Sequence, residues 1–193
     1  SLTQFPAYVN SLVGLNVRRG QKLVSIGGGI IQDITCFLAA TMMRGLPWMF
    51  YPTTLLAQSD SCIGSKSSIN SGEVKNILGT FTPPEQVVIN VDFLQTLEEK
   101  DISSGIGEMI KVHAIDSPAS FNLMAQSYEK IHNDRLEMEK FINRSLLIKK
   151  RLIEIDEFDL GPRNVMNYGH SFGHAIESAT NFAIPHGIAV TIG

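Results

Sequence analysis

The chain has 193 residues, 44% apolar and 18% charged, with a formal net charge of −3. That is globular composition, with enough apolar side chains for a real core in one large domain or two small ones. No basic tract is long enough for a nucleic-acid footprint, no apolar run reaches bilayer length, and the two separated cysteines, Cys36 and Cys62, make no disulfide framework.

The opening SLTQFPAYVNSLVGLNVRRG lacks the basic-then-apolar layout of a signal peptide. A cytoplasmic protein is expected, with neither nucleic acid nor membrane as partner. A helix-like opening piece leads into a short strand over Lys22–Ile26, which stops at Gly27-Gly28-Gly29. A helix is predicted over Ile30–Arg44 and a second strand over Trp48–Tyr51, ended by Pro52. Thr53 and Thr54 are good helix-entry residues for the LLAQSDSCIG that follows. The polar stretch SSINSGEVKNILG reads as a loop, and Val87–Val91 reads as a third strand. Strands alternating with helices argue for a parallel sheet with helical cover.

After Asp92 almost nothing is strand-like. Helices are predicted over Ser103–Ile115, Ala119–Ile131, Arg135–Ile155, Asn167–Thr180 and after His186. The expected organisation is an α/β part over residues 1–92 and an all-α part over 93–193. Both ends read as cut, so a piece of a longer protein is expected.

Strand, GGGIIQD, then helix is a plausible phosphate cradle, although it is not GxGxxG. Asp33, in the first helical turn, is a candidate cap or a contact to a nicotinamide or ribose. HSFGH is the sharpest local signal. His170 and His174 are four apart and share a helix face with Glu177, while His186 follows in IPHG. Glu108, in GIGEMIK, lies three before Lys111 on one side of its helix. A catalytic divalent ion needs about three protein ligands and an open position. Spacing alone favours His170 with His174 but does not settle which donors bind. Lys66, Lys75, Asn76, Lys111, Lys149 and Arg163 are candidate anion contacts. Asp60 could bond substrate hydroxyls or cap a helix, and Arg44 could be a helix C-terminal charge.

GGGIIQD, AATMMRG, YPTTLLAQSD, KNILGTF, GIGEMIK and NYGHSFGHAIE followed by PHG resemble, in order, the signatures of the 3-dehydroquinate synthase family of sugar-phosphate cyclases. The resemblance implies an incomplete Rossmann-like nucleotide-binding domain over 1–92 and a helical metal- and substrate-binding domain over 93–193. It implies Glu108, His170 and His186 as metal ligands, for zinc or cobalt, and turns His174 towards substrate. Lys66, Asn76, His174 and Arg163 resemble phosphate and carboxylate contacts. Asp60, Lys75, Lys111, Lys149 and Asn167 resemble residues that hold sugar hydroxyls and carboxylate. Arg44 resembles an arginine donated across a homodimer interface. Gly28, Gly29, Asp33, Thr53 and Thr54 resemble NAD contacts, with Lys66 and Lys75 carried to the cofactor as well as to substrate. Lys111, His174, Lys66 and Arg163 are the catalytic candidates.

The implied reaction converts 3-deoxy-arabino-heptulosonate 7-phosphate to 3-dehydroquinate and phosphate, in the shikimate route to aromatic amino acids. Its implied steps are transient NAD-dependent oxidation, phosphate elimination, reduction and intramolecular aldol closure. The sequence departs from the family loop at two positions: Ser65 replaces a glycine, and Ser71 stands where a histidine is common. Sister cyclases of the amino-dehydroquinate, valiolone and inosose types also vary there, and are the alternative. Arg163 and Asn167 resemble the dehydroquinate version. A metal-dependent polyol dehydrogenase of the same fold and a non-catalytic interaction module are the readings from other classes.

Overall fold

The computed structural model describes residues 2–72 and 74–193, with the backbone alone at Lys75. The chain divides into two units, Ser1–Pro52 with Gly64–Ile89, and Thr53–Ile63 with Asn90–Gly193.

The first unit is α/β. Helix α1 (Phe5–Gly14) leads to strand β1 (Leu23–Gly27), helix α2 (Gly29–Thr41) and strand β2 (Trp48–Pro52). Strands β3 (Ile69–Ser71) and β4 (Val74–Leu78) form an antiparallel hairpin, and β5 (Gln86–Val87) closes the unit. The main sheet is parallel, in the order β1-β2-β5, with Leu23 opposite Trp48 and Gly27 opposite Pro52. Its core joins Phe5, Leu38, Met42, Leu46 and Ile69.

The polar stretch expected as a loop is this hairpin. Gly72 reverses the chain at φ +57°, in the left-handed region open to glycine. Backbone bonds from Ser67 N–H to Thr80 O and from Thr82 N–H to Ser65 O extend the pairing. The third strand is shorter than expected, because Asn90 Oδ1 accepts from Asp92 N–H and starts a 3-10 turn over Val91–Thr96. Helix α2 stops at Thr41, since Met43 and Arg44 adopt positive φ.

The second unit is helical: α3 (Glu99–Asp116), α4 (Pro118–Asn133), α5 (Arg135–Ile155), α6 (His170–Ala179) and α7 (His186–Ile192). Asp134 fixes the start of α5 by accepting from the N–H groups of Leu136 and Glu137. Ser117 does the same for α4 through Ser120 N–H, with Pro118 in the first turn. Helix α6 begins at His170 rather than Asn167. Gly169 at φ +79° breaks the path from a 3-10 turn over Pro162–Asn167. Fully buried Ile106, Met109, Val112, Met124, Ile131 and Phe141 form the interior.

In place of a single division near residue 92, the segment Thr53–Ile63 belongs with the helices. Leu55 is fully buried against Gly105, where an added Cβ would collide with it. Gln58 Nε2 donates to Asn90 O at 2.9 Å. Residues Ala57–Ser61 form a π-helical turn, closed by Cys62 N–H on Ala57 O. Such widened turns recur at functional sites, and this one carries Asp60.

Among the described residues no helix is long and apolar enough to cross a membrane. Both cysteines are free and buried.

Candidate active site

Three close backbone approaches bring the metal-ligating residue types together in the helical unit. A Cβ on Gly107 would strike Gly187 O, and one on Gly187 would strike Ser104 O, so α3 and α7 touch backbone to backbone. Gly187 N–H also donates to Ser104 Oγ at 3.0 Å. On the other side of α7, a Cβ on Gly173 would lie 3.0 Å from Val190 Cα, so α6 also packs closely, though less tightly than α3. His186, the first residue of α7, therefore meets Glu108 from α3 and His170 and His174 from α6.

The Nε2 atom of His186 lies 3.3 Å from Glu108 Oε1, and that of His170 lies 4.0 Å from the same oxygen. His174 joins the cluster: ring nitrogens of His170, His174 and His186 fall within 4.8 Å of one another. At metal–ligand distances of about 2.1 Å, tetrahedral donors stand roughly 3.4 Å apart, so modest inward rotation suffices. His170 Nδ1 faces Tyr168 O at 3.2 Å and His186 Nδ1 faces Glu177 Oε2 at 3.1 Å. Neither oxygen can donate, so both Nδ1 atoms carry a proton; the Nε2 of His186 faces Glu108 closely enough to share a proton, which raises the His186 pKa and which a divalent cation would displace. Glu108 is buried, and its two carboxylate oxygens lie at ion-pair distance from their neighbours without meeting hydrogen-bond geometry. A buried carboxylate left in that state beside two imidazoles fits a divalent cation.

Burial works to raise the Glu108 pKa. The His186 imidazole and the Lys111 ammonium, 2.6 Å from Oε2, outweigh it and hold the carboxyl below the ordinary range. Burial also opposes the charge on Lys111, but Asp60 and Glu108 raise its pKa, so the ammonium persists. His170 is lowered by burial and by Lys111, which keeps its imidazole neutral as a ligand must be.

Asp60 and Lys149 extend this polar cluster. Lys149 Nζ donates to Asp60 O at 2.6 Å and lies 3.2 Å from Asp60 Oδ1. Cys62 beneath them is pushed up to about 12, chiefly by burial, so its thiol is inert. Arg163 is buried and donates from Nη1 to Glu157 O, in a turn that Asp156 ties down through the N–H groups of Leu160, Gly161 and Arg163. Asn167 is exposed at the end of its 3-10 turn. Thr53 and Thr54 lie in this unit too, and Thr54 Oγ1 accepts from Ala57 N–H as the π-helical turn begins.

The other candidates lie in the α/β unit. Gly28 caps α2 without a side chain, leaving first-turn N–H groups open to an oxyanion. Asp33 accepts from Ser68 N–H at 3.1 Å, and burial pushes its pKa up to about 6 against the pull of that bond. Asn76 Oδ1 accepts from Ser68 Oγ at 2.6 Å. Lys66 and Arg44 are exposed. The Lys75 side chain lies outside the described residues.

Residues 1–104 match the family model described as 3-dehydroquinate synthase N-terminal, and residues 105–193 match 3-dehydroquinate synthase C-terminal. The chain belongs to the 3-dehydroquinate synthase family. A protein named 3-dehydroquinate synthase from Dehalococcoides mccartyi (strain CBDB1) is 40% identical over 190 residues, 98% of this chain and 52% of the relative. The chain thus spans about half the length of the curated relatives it matches. Among solved structures, a 2-epi-5-epi-valiolone synthase from Streptomyces hygroscopicus subsp. jinggangensis 5008, with NAD+ and Zn2+ bound, aligns at TM-score 0.89 and 26% identity. It covers 98% of this chain and 54% of its own. A 2-deoxy-scyllo-inosose synthase complexed with carbaglucose-6-phosphate, NAD+ and Co2+ aligns at TM-score 0.86 and 26% identity, covering 98% and 52%.

Proposed function

We propose that this protein works as a 3-dehydroquinate synthase, releasing phosphate from 3-deoxy-arabino-heptulosonate 7-phosphate to make 3-dehydroquinate in aromatic amino-acid biosynthesis. One observation carries the reading. Glu108, His170 and His186 converge in a family member 40% identical to a named synthase, each at a position where the family's motifs imply a metal ligand. In this reading the N-terminal α/β part holds NAD through Gly28, Gly29 and Asp33, with Thr53 and Thr54 in support. The helical part holds the cation and the sugar acid, and Arg44 serves a homodimer in the cytoplasm.

When bound, the cation supplies Lewis acidity to a substrate hydroxyl, and NAD supplies reversible hydride acceptance. The chain's own groups do the rest. Lys111, held protonated beside Glu108, offers a donor to a developing oxyanion. Asp60 and Lys149, already paired, present an acceptor and a donor to adjacent hydroxyls. In the helical part the family resemblance assigns His174, exposed beside His170, and Arg163 to the substrate phosphate and Asn167 to the carboxylate end; in the α/β part it assigns Lys66 and Asn76 to phosphate and Lys75 to the carboxylate.

The deciding experiment is phosphate release by the full-length protein from candidate heptulose phosphates with NAD present, before and after chelation. Release from the carboxylated heptulosonate, abolished by chelator and restored by Zn2+ or Co2+, is expected. Release only from a substrate without the carboxylate would instead assign a sister cyclase. Net accumulation of reduced NAD without phosphate would assign a polyol dehydrogenase. Turnover indifferent to chelation would overturn the metal role.

A further inference from the structure

We propose that Glu177 is a positioning residue for the cation site, an inference that rests on the metal reading above. Glu177 lies on α6, seven residues after His170, and its carboxylate is largely buried at 13% exposure. Among the described residues its Oε2 has one partner, His186 Nδ1, at 3.1 Å. Glu177 therefore touches neither the cation position nor Glu108; it acts through the imidazole.

The physical task is specific. His186 sits at the first position of α7 after Pro185, and among the described residues no backbone carbonyl meets its ring, unlike His170 on Tyr168 O. An imidazole so placed has two tautomers and a freely turning ring. A carboxylate on Nδ1 removes both freedoms: it keeps a proton on Nδ1 and holds the ring so that Nε2 faces Glu108 Oε1, 3.3 Å away, as the atom left for a cation. The negative charge also strengthens the imidazole as a donor to a cation. His186 thus spans two carboxylates, one for each ring nitrogen, and only the Glu108 side is open to an ion.

The test uses the full-length protein with Zn2+ and a chelator competitor. Wild type should bind Zn2+, and Glu177→Ala should weaken binding by about 10- to 100-fold. Glu177→Gln, which keeps an oxygen acceptor, should recover part of that loss. Nitrogen NMR of metal-free protein should show His186 protonated at Nδ1 in wild type and Glu177→Gln, and its proton drawn to Nε2, against Glu108, in Glu177→Ala. Zn2+ affinity and His186 tautomer both unchanged in Glu177→Ala, with wild type binding tightly, would overturn this inference and leave the metal reading standing. Wild type that binds no divalent ion would bring down the metal reading and this inference together.

Discussion

In the helical unit the candidate functional residues are mostly buried charges, whereas in the α/β unit they are mostly backbone and exposed side chains. Glu108, Lys111, Lys149 and Arg163 are each nine-tenths or more buried. Gly28 contributes only main chain, and Lys66, Asn76 and Arg44 are exposed. Buried charges need their partners in place before any ligand arrives, because an unpaired one is costly. Exposed groups carry no such demand. The helical site should therefore be coupled to folding, and the α/β site should be tunable without unfolding the protein.

Substitution tests that contrast most directly. Lys111→Ala leaves Glu108 buried beside a vacancy, and should lower unfolding free energy by about 3–5 kcal/mol in a urea titration of the full-length protein. Lys66→Ala, at an exposed position, should change it by no more than about 0.5 kcal/mol. Similar losses at the two sites would erase the distinction. Next in size, Gly187→Ala forces a methyl group into Ser104 O and should cost about 3 kcal/mol while also weakening Zn2+ binding, since His186 precedes it. Unchanged affinity would mean that the α3–α7 contact does not set the donor spacing.

In the α/β unit the half-buried carboxylate of Asp33 gives the third prediction. Its folded pKa is raised to about 6 from 3.8, so the folded state holds the proton over a window where the unfolded state has lost it. The stability contribution is thus complete below the unfolded value and declines as pH rises from about 4 to 6, by on the order of 1–2 kcal/mol. Asp33→Asn should remove that slope from melting curves taken across the window; an identical slope would assign it elsewhere. A smaller stabilising effect is expected at Ser65, where φ is +57° and the buried hydroxyl lacks a partner. Ser65→Gly relieves the left-handed strain against a modest entropy loss, and should stabilise by about 1 kcal/mol in the same titration.

Much of the fold could be read from the residues. The limits of α5 follow from the Asp134 cap and a sustained apolar period, and β1 and β2 from short apolar runs bounded by glycine and proline. The β3–β4 hairpin was hidden because SSINSGEVKNILG is polar enough to resemble a loop, and cross-strand partners leave no local trace. The attachment of Thr53–Ile63 to the helices was equally invisible, since it depends on Leu55 meeting a gap at Gly105. In the candidate site, helical spacing placed His170, His174 and Glu177 on one face. Spacing could not reveal that Glu108 approaches His186 across 77 intervening residues. Nor could it tell that Glu177 faces an imidazole and not an ion. Those relations belong to tertiary packing, and only family motifs hinted at the first.

The bare contact between Gly107 and Gly187 has a further consequence for how such a protein could change its preferred ion. Beside that main-chain contact the crossing holds only the short hydroxyl side chains of Ser104 and Thr191, which leave little room for an adjustable spacer. Selection for a larger or smaller ion could not proceed by trimming or padding the helix crossing. It would have to replace the donors themselves, so ion choice should drift through ligand chemistry while the helix frame stays constant.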